Sequence, residues 1–365
     1  MKNNKLFEQV IENFTSPIHS FLDDPLVTEI MINAYNDIWI EKEGRSFKTD
    51  STFDSEDALM SAVNSISQFV NRPICKEVPH MAARLPEGHR VQVIIPPCSR
   101  KGITVAIRKF SKKNFTIEQL LEKKTISTNA IEFLKNCIQL KKNLIVSGGT
   151  SSGKTTLLNI ISQFISEFDR LVVIEDNSEL RTETPNSVLL EAKTADLKGK
   201  GGVSIRQLLA CSLRLNPDWI VIGEVRAQEA LDLLQALNTG HSGFGTIHSN
   251  SAIDSLSRLE TLSLYSNVNL PLQAIRSQVA SAINIIVHVS KMSDGSRKVT
   301  QISEILALNQ NGEYQINDIF KFNFVRREAD GSIVGSLEAT GNKPTFYNEL
   351  EIFGLKNDKL FDRQS

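Results

Sequence analysis

Apolar residues recur along the chain with two periods, and the change from one regime to the other divides it. Leu6, Val10, Ile11, Phe14 and Ile18 fall at helical spacing, which Pro17 brings to a close. Residues 26–32 and 37–41 read as strands; in the second, Ile38 and Ile40 alternate with Trp39 and Glu41, and Glu43-Gly44 supplies a turn. Residues 54–70 carry the stripe of an amphipathic helix. Residues 90–95 and 102–110 are short, β-branched runs bounded by Pro96-Pro97 or Gly102, so both read as strands. This mixture predicts a small α+β domain over residues 1–110. Residues 111–125 are polar and lysine-rich around Leu120-Leu121, the pattern of a linker with a short helix. The basic run Lys109, Lys112 and Lys113 reads as its solvated face.

From residue 126 onward, short wholly apolar runs alternate with helical stretches. A helix over 126–140 leads into the run Leu144, Ile145, Val146; further runs span 171–174 and 219–222, with helices over 229–238, 252–264 and 272–283. Apolar strands alternating with helices predict a mostly parallel sheet covered on both faces, with ligands at the carboxyl ends of its strands. Residues 285–289 and 302–308 read as closing strands, and the alternating tail from Glu313, with turns at Asp330-Gly331 and Gly341, as a small appended sheet. The fold class is therefore α/β over residues 126–365, preceded by the smaller α+β domain.

A length of 365 residues fits about two domains, and 41% hydrophobic with 23% charged residues is the composition of a soluble globular protein. The chain contains no apolar run long enough to span a bilayer, and Met1-Lys2-Asn3-Asn4-Lys5 lacks the apolar core of a signal peptide, so a cytoplasmic location is expected. Cys75, Cys98, Cys137 and Cys211 are scattered without a Cys-x-x-Cys pair, which argues against zinc and disulfides and for buried thiols. The net charge of −1 gives no global pull toward nucleic acid.

The stretch that carries chemistry is Gly148-Gly149-Thr150-Ser151-Ser152-Gly153-Lys154-Thr155, set between an apolar strand and the helical Thr156-Leu157-Leu158. Glycines at its ends let successive N–H groups turn toward phosphate oxygens at a helix N-terminus; Lys154 reaches the β/γ-phosphates and Thr155 offers a hydroxyl to Mg²⁺. Such a loop identifies nucleotide phosphates, not a reaction. Glu224 follows an apolar strand and can hold Mg²⁺ through water, although the usual acidic position one place earlier is Gly223. Glu175, Asp176 and Glu179 lie just past a neighbouring strand, where one of them can polarise the attacking water. His241 and His248 stand either side of what reads as a glycine-rich turn, a further set of candidates for acid–base work. Residues 193–203, with Lys198-Gly199-Lys200-Gly201-Gly202, read as a basic loop.

The order of these motifs resembles the secretion-superfamily ATPases: the phosphate loop is similar to their Walker A, Ile174-Glu175-Asp176 to the Asp box, Gly223-Glu224-Val225-Arg226 to the atypical Walker B, and Asn238-Thr239-Gly240-His241 through Thr246-Ile247-His248 to the His box. Finer stretches, including Ala83-Arg84-Leu85-Pro86-Glu87-Gly88-His89-Arg90-Val91, Ile107-Arg108-Lys109-Phe110 and Asp294-Gly295-Ser296-Arg297-Lys298-Val299-Thr300, resemble the Flp/Tad pilus branch, the CpaF type. The resemblance implies a RecA-like ATPase domain, Mg-ATP as the substrate complex, a homohexameric ring and membrane association through inner-membrane pilus or secretion platform proteins at the inner face of a bacterial inner membrane. It further implies nucleotide contacts from Arg90, Arg108 and Arg84, and a water-activating glutamate at Glu179 in preference to Glu175. Arg226 and Arg258 match family positions without a clear role. Asn216 before Pro217-Asp218, and Ser242 after His241, depart from the family pattern. A conjugation or type IV secretion ATPase shares every core motif, and a DNA-translocating ring remains the alternative from another class. No direct nucleic-acid binding is expected from the near-neutral charge.

Overall fold

The computed structural model describes residues 16–42, 44–85, 87–110, 115–195, 199–266 and 268–363. The chain divides into two units, Met1–Lys113 and Asn114–Ser365. Most of the helix expected at the N-terminus lies outside the described residues.

In the first unit, helix α1 (His19–Asp23) precedes strands β1 (Val27–Ala34), β2 (Asp37–Lys42) and β3 (Arg45–Lys48). Helix α2 (Glu56–Phe69) follows, then β4 (His80–Arg84), β5 (Arg90–Ile94) and β6 (Thr104–Arg108). The six strands form one sheet, antiparallel throughout, in the order β3-β2-β1-β6-β5-β4. The Ser55 hydroxyl accepts from Ala58 N–H at 3.1 Å to start α2, with Glu56 and Asp57 in its first turn where the helix dipole favours them. Leu59, Val63 and Ile66 of α2 then pack on Ile30, Val93, Val105 and Ile107. Lys109 is not a solvated lysine: its Nζ donates to Phe21 O at 3.0 Å and Asp24 O at 2.6 Å, and burial pushes its pKa down. Lys112 and Lys113 lie outside the described residues.

The second unit begins with α3 (Ile117–Glu122), capped by Thr116 and Gln119 in a reciprocal box. Its Leu120 is buried in the main core, so this part of the expected linker is built into the second unit. There follow α4 (Thr128–Gln139), β7 (Leu144–Gly148), α5 (Lys154–Ser162), β8 (Leu171–Glu175), β9 (Ser187–Glu191), α6 (Ile205–Ser212) and β10 (Trp219–Ile222). Then come α7 (Glu229–Asn238), β11 (Ser242–His248), α8 (Ala252–Leu264), α9 (Leu272–Ala282), β12 (Ile285–Lys291), β13 (Arg297–Leu306), β14 (Gln315–Arg327), β15 (Ile333–Ala339) and α10 (Tyr347–Ile352).

Nine strands make a single sheet in the order β15-β14-β13-β12-β7-β11-β10-β8-β9. From β12 to β9 it is parallel; β13, β14 and β15 continue it antiparallel. The tail thus extends the main sheet instead of forming a separate one. Along β7 the faces alternate: Leu144 and Val146 join the core with α4 and α5, while Ile145 joins the core with α7, α8 and α9. Burial on both faces explains why these strands are wholly apolar. The 193–203 loop is closed at its base by a bridge between Lys193 and Val203, and Asp196, Leu197 and Lys198 lie outside the described residues. Of the cysteines only Cys137 is buried; Cys98 and Cys211 are exposed, against the expectation from their scatter. Among the described residues no helix is long and apolar enough to cross a membrane.

Candidate functional site

The site forms where β7, β11, β10 and β8 end side by side, because parallel strands deliver all their carboxyl ends to one edge. Gly148 closes β7 with φ +156°, and a Cβ there would lie 2.2 Å from Val289 O, so no other residue fits. Ser151 (φ +55°) and Gly153 (φ +98°) turn the loop back on itself, and the Ser152 hydroxyl closes it by donating to Gly149 O at 2.9 Å. Helix α5 starts at Lys154, and Thr155 and Thr156 complete its first turn. Thr150 and Gly149 are exposed at the loop's tip. The first N–H groups of any α-helix lack intrahelical partners, so this loop and turn present an anion-binding end.

Lys154 is buried, and its Nζ donates to Gly148 O at 3.1 Å and Gly149 O at 2.8 Å. It also stands 3.2 Å from His248 Nδ1. On the far side of the same ring, His248 Nε2 is 3.1 Å from Glu224 Oε1. Burial, then the charge of Lys154, pushes the His248 pKa below its ordinary value, so the ring is neutral at pH 7. A neutral ring accepting from Lys154 at Nδ1 carries its proton at Nε2 and donates it to Glu224, which assigns the tautomer from the network. Burial raises the Glu224 pKa, but the Arg226 hydrogen bond and the charges of Arg226 and Lys154 outweigh it and hold the carboxyl below the usual range. Arg226 Nη2 meets Glu224 Oε2 at 2.6 Å, while Nη1 binds Asp176.

Glu175 ends β8 in a different state. Its Oε1 accepts from Glu179 N at 2.9 Å and Leu180 N at 3.0 Å, so the carboxyl is committed to holding the following loop. Burial pushes its pKa up to about 7 despite those two bonds. Glu179 is half-buried on the loop so held. A second tie, not anticipated from the sequence, comes from α5: Asn159 Oδ1 accepts from Arg181 N at 3.0 Å.

The structure brings together Lys154, His248, Glu224 and the phosphate loop but not His241. Residues 242–248 are strand β11, hydrogen-bonded to β7 and β10, and not a glycine-rich turn. His248, at its carboxyl end, pairs with Gly148; His241 stands just before its other end, about 23 Å away at ~3.3 Å per residue. There its Nδ1 lies 3.3 Å from Ala236 O.

In the first unit the three arginines form a row. Arg84 pairs with Arg90 across β4 and β5, and Arg90 with Arg108 across β5 and β6. The guanidinium of Arg84 lies 5.7 Å from the centre of the Phe110 ring.

The model of the type II/IV secretion system protein family matches residues 12–325. The chain is 33% identical over 309 residues to the type IV secretion system protein PtlH of Bordetella pertussis, covering 77% of this chain and 91% of that one. It is 32% identical over 299 residues to the conjugal transfer protein TrbB of Rhizobium radiobacter, covering 80% and 88%. Its fold is shared with the X-ray structure of the Yersinia pseudotuberculosis ATPase DotB, at 18% identity and a TM-score of 0.56 over 82% of this chain and 79% of that one. With most of its length matched and its phosphate-loop edge assembled in this way, the chain belongs to the type II/IV secretion system protein family.

Proposed function

We propose that the chain hydrolyses Mg-ATP as the motor of a membrane-bound secretion or pilus machine. The observation that carries this reading is the chain Lys154–His248–Glu224, which joins the phosphate loop to an ionised carboxylate. Thr155 and Glu224 are oxygen donors that suit Mg²⁺, and they would hold it beside the phosphates, where it neutralises charge on the β- and γ-oxygens. Lys154 would leave its loop carbonyls for the nucleotide phosphates. Water attacks the γ-phosphorus and the bond to the β-phosphate oxygen breaks, giving ADP and phosphate. The water-activating base is Glu179, because Glu175 is taken up by two backbone N–H groups. Arg84, Arg90 and Arg108 place three like charges in cross-strand register, with Glu29 of β1 opposite Arg108, a basic row whose chemistry suits a polyanion. They are assigned to nucleotide phosphate, with a homohexamer supplying the geometry for closure.

The resemblance of the finer motifs favours Flp/Tad pilus assembly, with inner-membrane platform proteins as partners and no direct nucleic acid. Relatives named for conjugal transfer and type IV secretion favour a second reading, substrate transfer through a type IV apparatus. Neighbouring genes separate the two: prepilin peptidase and pilin genes support the first, a relaxase gene the second. Hydrolysis itself is tested by Mg²⁺-dependent phosphate release with native mass recorded. Wild-type rings that turn over, against Lys154→Ala and Glu179→Gln rings that do not, support the motor; a wild type that binds ATP without turnover makes the chain a nucleotide-gated scaffold instead.

A further inference from the structure

The hairpin between β12 and β13 grips two places in the second unit at once. Its turn is fixed: Asp294 Oδ1 accepts from Ser296 N at 2.9 Å and Ser296 Oγ at 2.7 Å, and Oδ2 accepts from Ile333 N at 2.8 Å at the start of β15. From that base Arg297 lies along the phosphate loop. Its Nε donates to Ser151 O at 3.3 Å and its Nη1 to Gly295 O at 3.2 Å. Its Cγ is 3.7 Å from where a Cβ on Gly153 would stand, so the aliphatic stem packs beside that glycine. Of the two residues whose left-handed backbone shapes the loop, Arg297 is thus bonded to Ser151 and lies beside Gly153.

The chemistry of the contact is specific. A trans peptide is planar, with its C=O and N–H pointing opposite ways, so a guanidinium holding Ser151 O fixes the direction of Ser152 N–H. The charged donor also polarises that peptide and makes its N–H a better partner for an anion.

Lys298 comes next, and successive side chains of a strand point to opposite faces. Its buried Nζ donates to Lys123 O at 2.8 Å and Lys124 O at 3.0 Å, carbonyls just past α3, and Val299 N donates to Thr125 O at 2.8 Å. Two consecutive side chains thus hold the phosphate loop and the segment at residues 123–125.

We propose that Arg297 is a nucleotide-positioning residue and that, through Lys298, it couples occupancy of the phosphate loop to the hold on residues 123–125. The inference rests on the reading that this loop binds nucleotide phosphate. A phosphate drawing on Ser152 N–H moves the Ser151–Ser152 peptide, Arg297 follows the carbonyl, and the strand carries the displacement to Lys298.

The test uses the full chain, fluorescent ADP titrations, and hydrogen exchange of residues 117–126 with and without ADP, with thermal melts to establish folding. Arg297→Ala is expected to weaken ADP by about tenfold, the loss of one charge-assisted hydrogen bond, and Arg297→Lys to recover part of it. Lys298→Met, which keeps the length and apolar stem, is expected to bind ADP within about twofold of wild type while losing the ADP-dependent change in exchange. Unchanged ADP affinity in Arg297→Ala overturns the positioning role. Exchange at residues 117–126 that ignores ADP in the wild type overturns the coupling. A wild type that binds no ADP overturns the nucleotide reading, and the roles of Arg297 and Lys298 with it.

Discussion

Gly223 and Glu175 share one space: a Cβ added to Gly223 would lie 2.9 Å from Glu175 Cγ. Strands β8 and β10 are neighbours, and Gly223 N donates to Ile174 O at 2.9 Å, which brings the two residues together. The position that usually carries the acid is thus filled from the next strand, and the ionised carboxylate stands one residue later at Glu224. Gly223→Asp is expected to lower phosphate release at least tenfold, because the new side chain displaces Glu175 and with it the loop that bears Glu179. A Gly223→Asp enzyme faster than wild type would show that an acid works better at that position than at Glu224.

Glu175 makes stability depend on pH in a defined direction. Its pKa in the folded chain, about 7, lies above the ordinary 4.5, so between those values the folded state holds a proton that the unfolded state has lost. Stability from this group therefore falls as pH rises from about 4.5 to 7 and is level above that, by up to ~3 kcal/mol. Glu175→Gln keeps an acceptor for the two N–H groups and removes the buried charge. Urea unfolding is expected to show it more stable than wild type at pH 8 and equal to it at pH 4.

Asn159 joins the phosphate-loop helix to the loop that follows β8. Asn159→Ala leaves Lys154 and Thr155 in place but frees Arg181 N–H, so kcat is expected to drop by about tenfold while ATP binding changes little. Single-turnover rates beside nucleotide titrations separate the two effects. A pure binding defect would place Asn159 at the nucleotide instead.

Arg90 and Arg108 face each other across β5 and β6. Arg108 also pairs with Glu29 across β1 and β6, so removing its charge loses one attraction along with one repulsion and should change stability by no more than ~0.5 kcal/mol. Arg108→Gln is therefore expected to melt close to the wild-type temperature and yet to hydrolyse ATP slowly. Variants that melt lower would make the row structural.

The sequence made the phosphate loop and the strands on either side of it legible, because a buried parallel strand is an unbroken apolar run and the glycines that end it follow at once. Strand β11 was hidden for a tertiary reason. Cβ atoms at Gly243 and Gly245 would fall 2.6 Å from Ile220 O and 2.8 Å from Ile222 O, so the glycines that suggested a turn are there to admit the neighbouring strand. Strands β4 and β9 sit at sheet edges, where one missing neighbour relaxes the apolar pattern that pattern reading depends on. Arg84, Arg90 and Arg108 were visible one by one, but their row exists only through strand register. Asn159 and Arg297 act through backbone atoms distant in sequence, a contact that no local motif encodes.

β7 is the fifth of nine strands, with four on each side. A load applied along the strands at either edge is shared by hydrogen-bond ladders arranged to resist sliding, while a load that peels meets them one at a time. The strand that feeds the phosphate loop is therefore held by parallel ladders on both sides, at the middle of the sheet. A displacement at the phosphate loop thus meets a strand braced on both sides before it reaches either edge of the sheet.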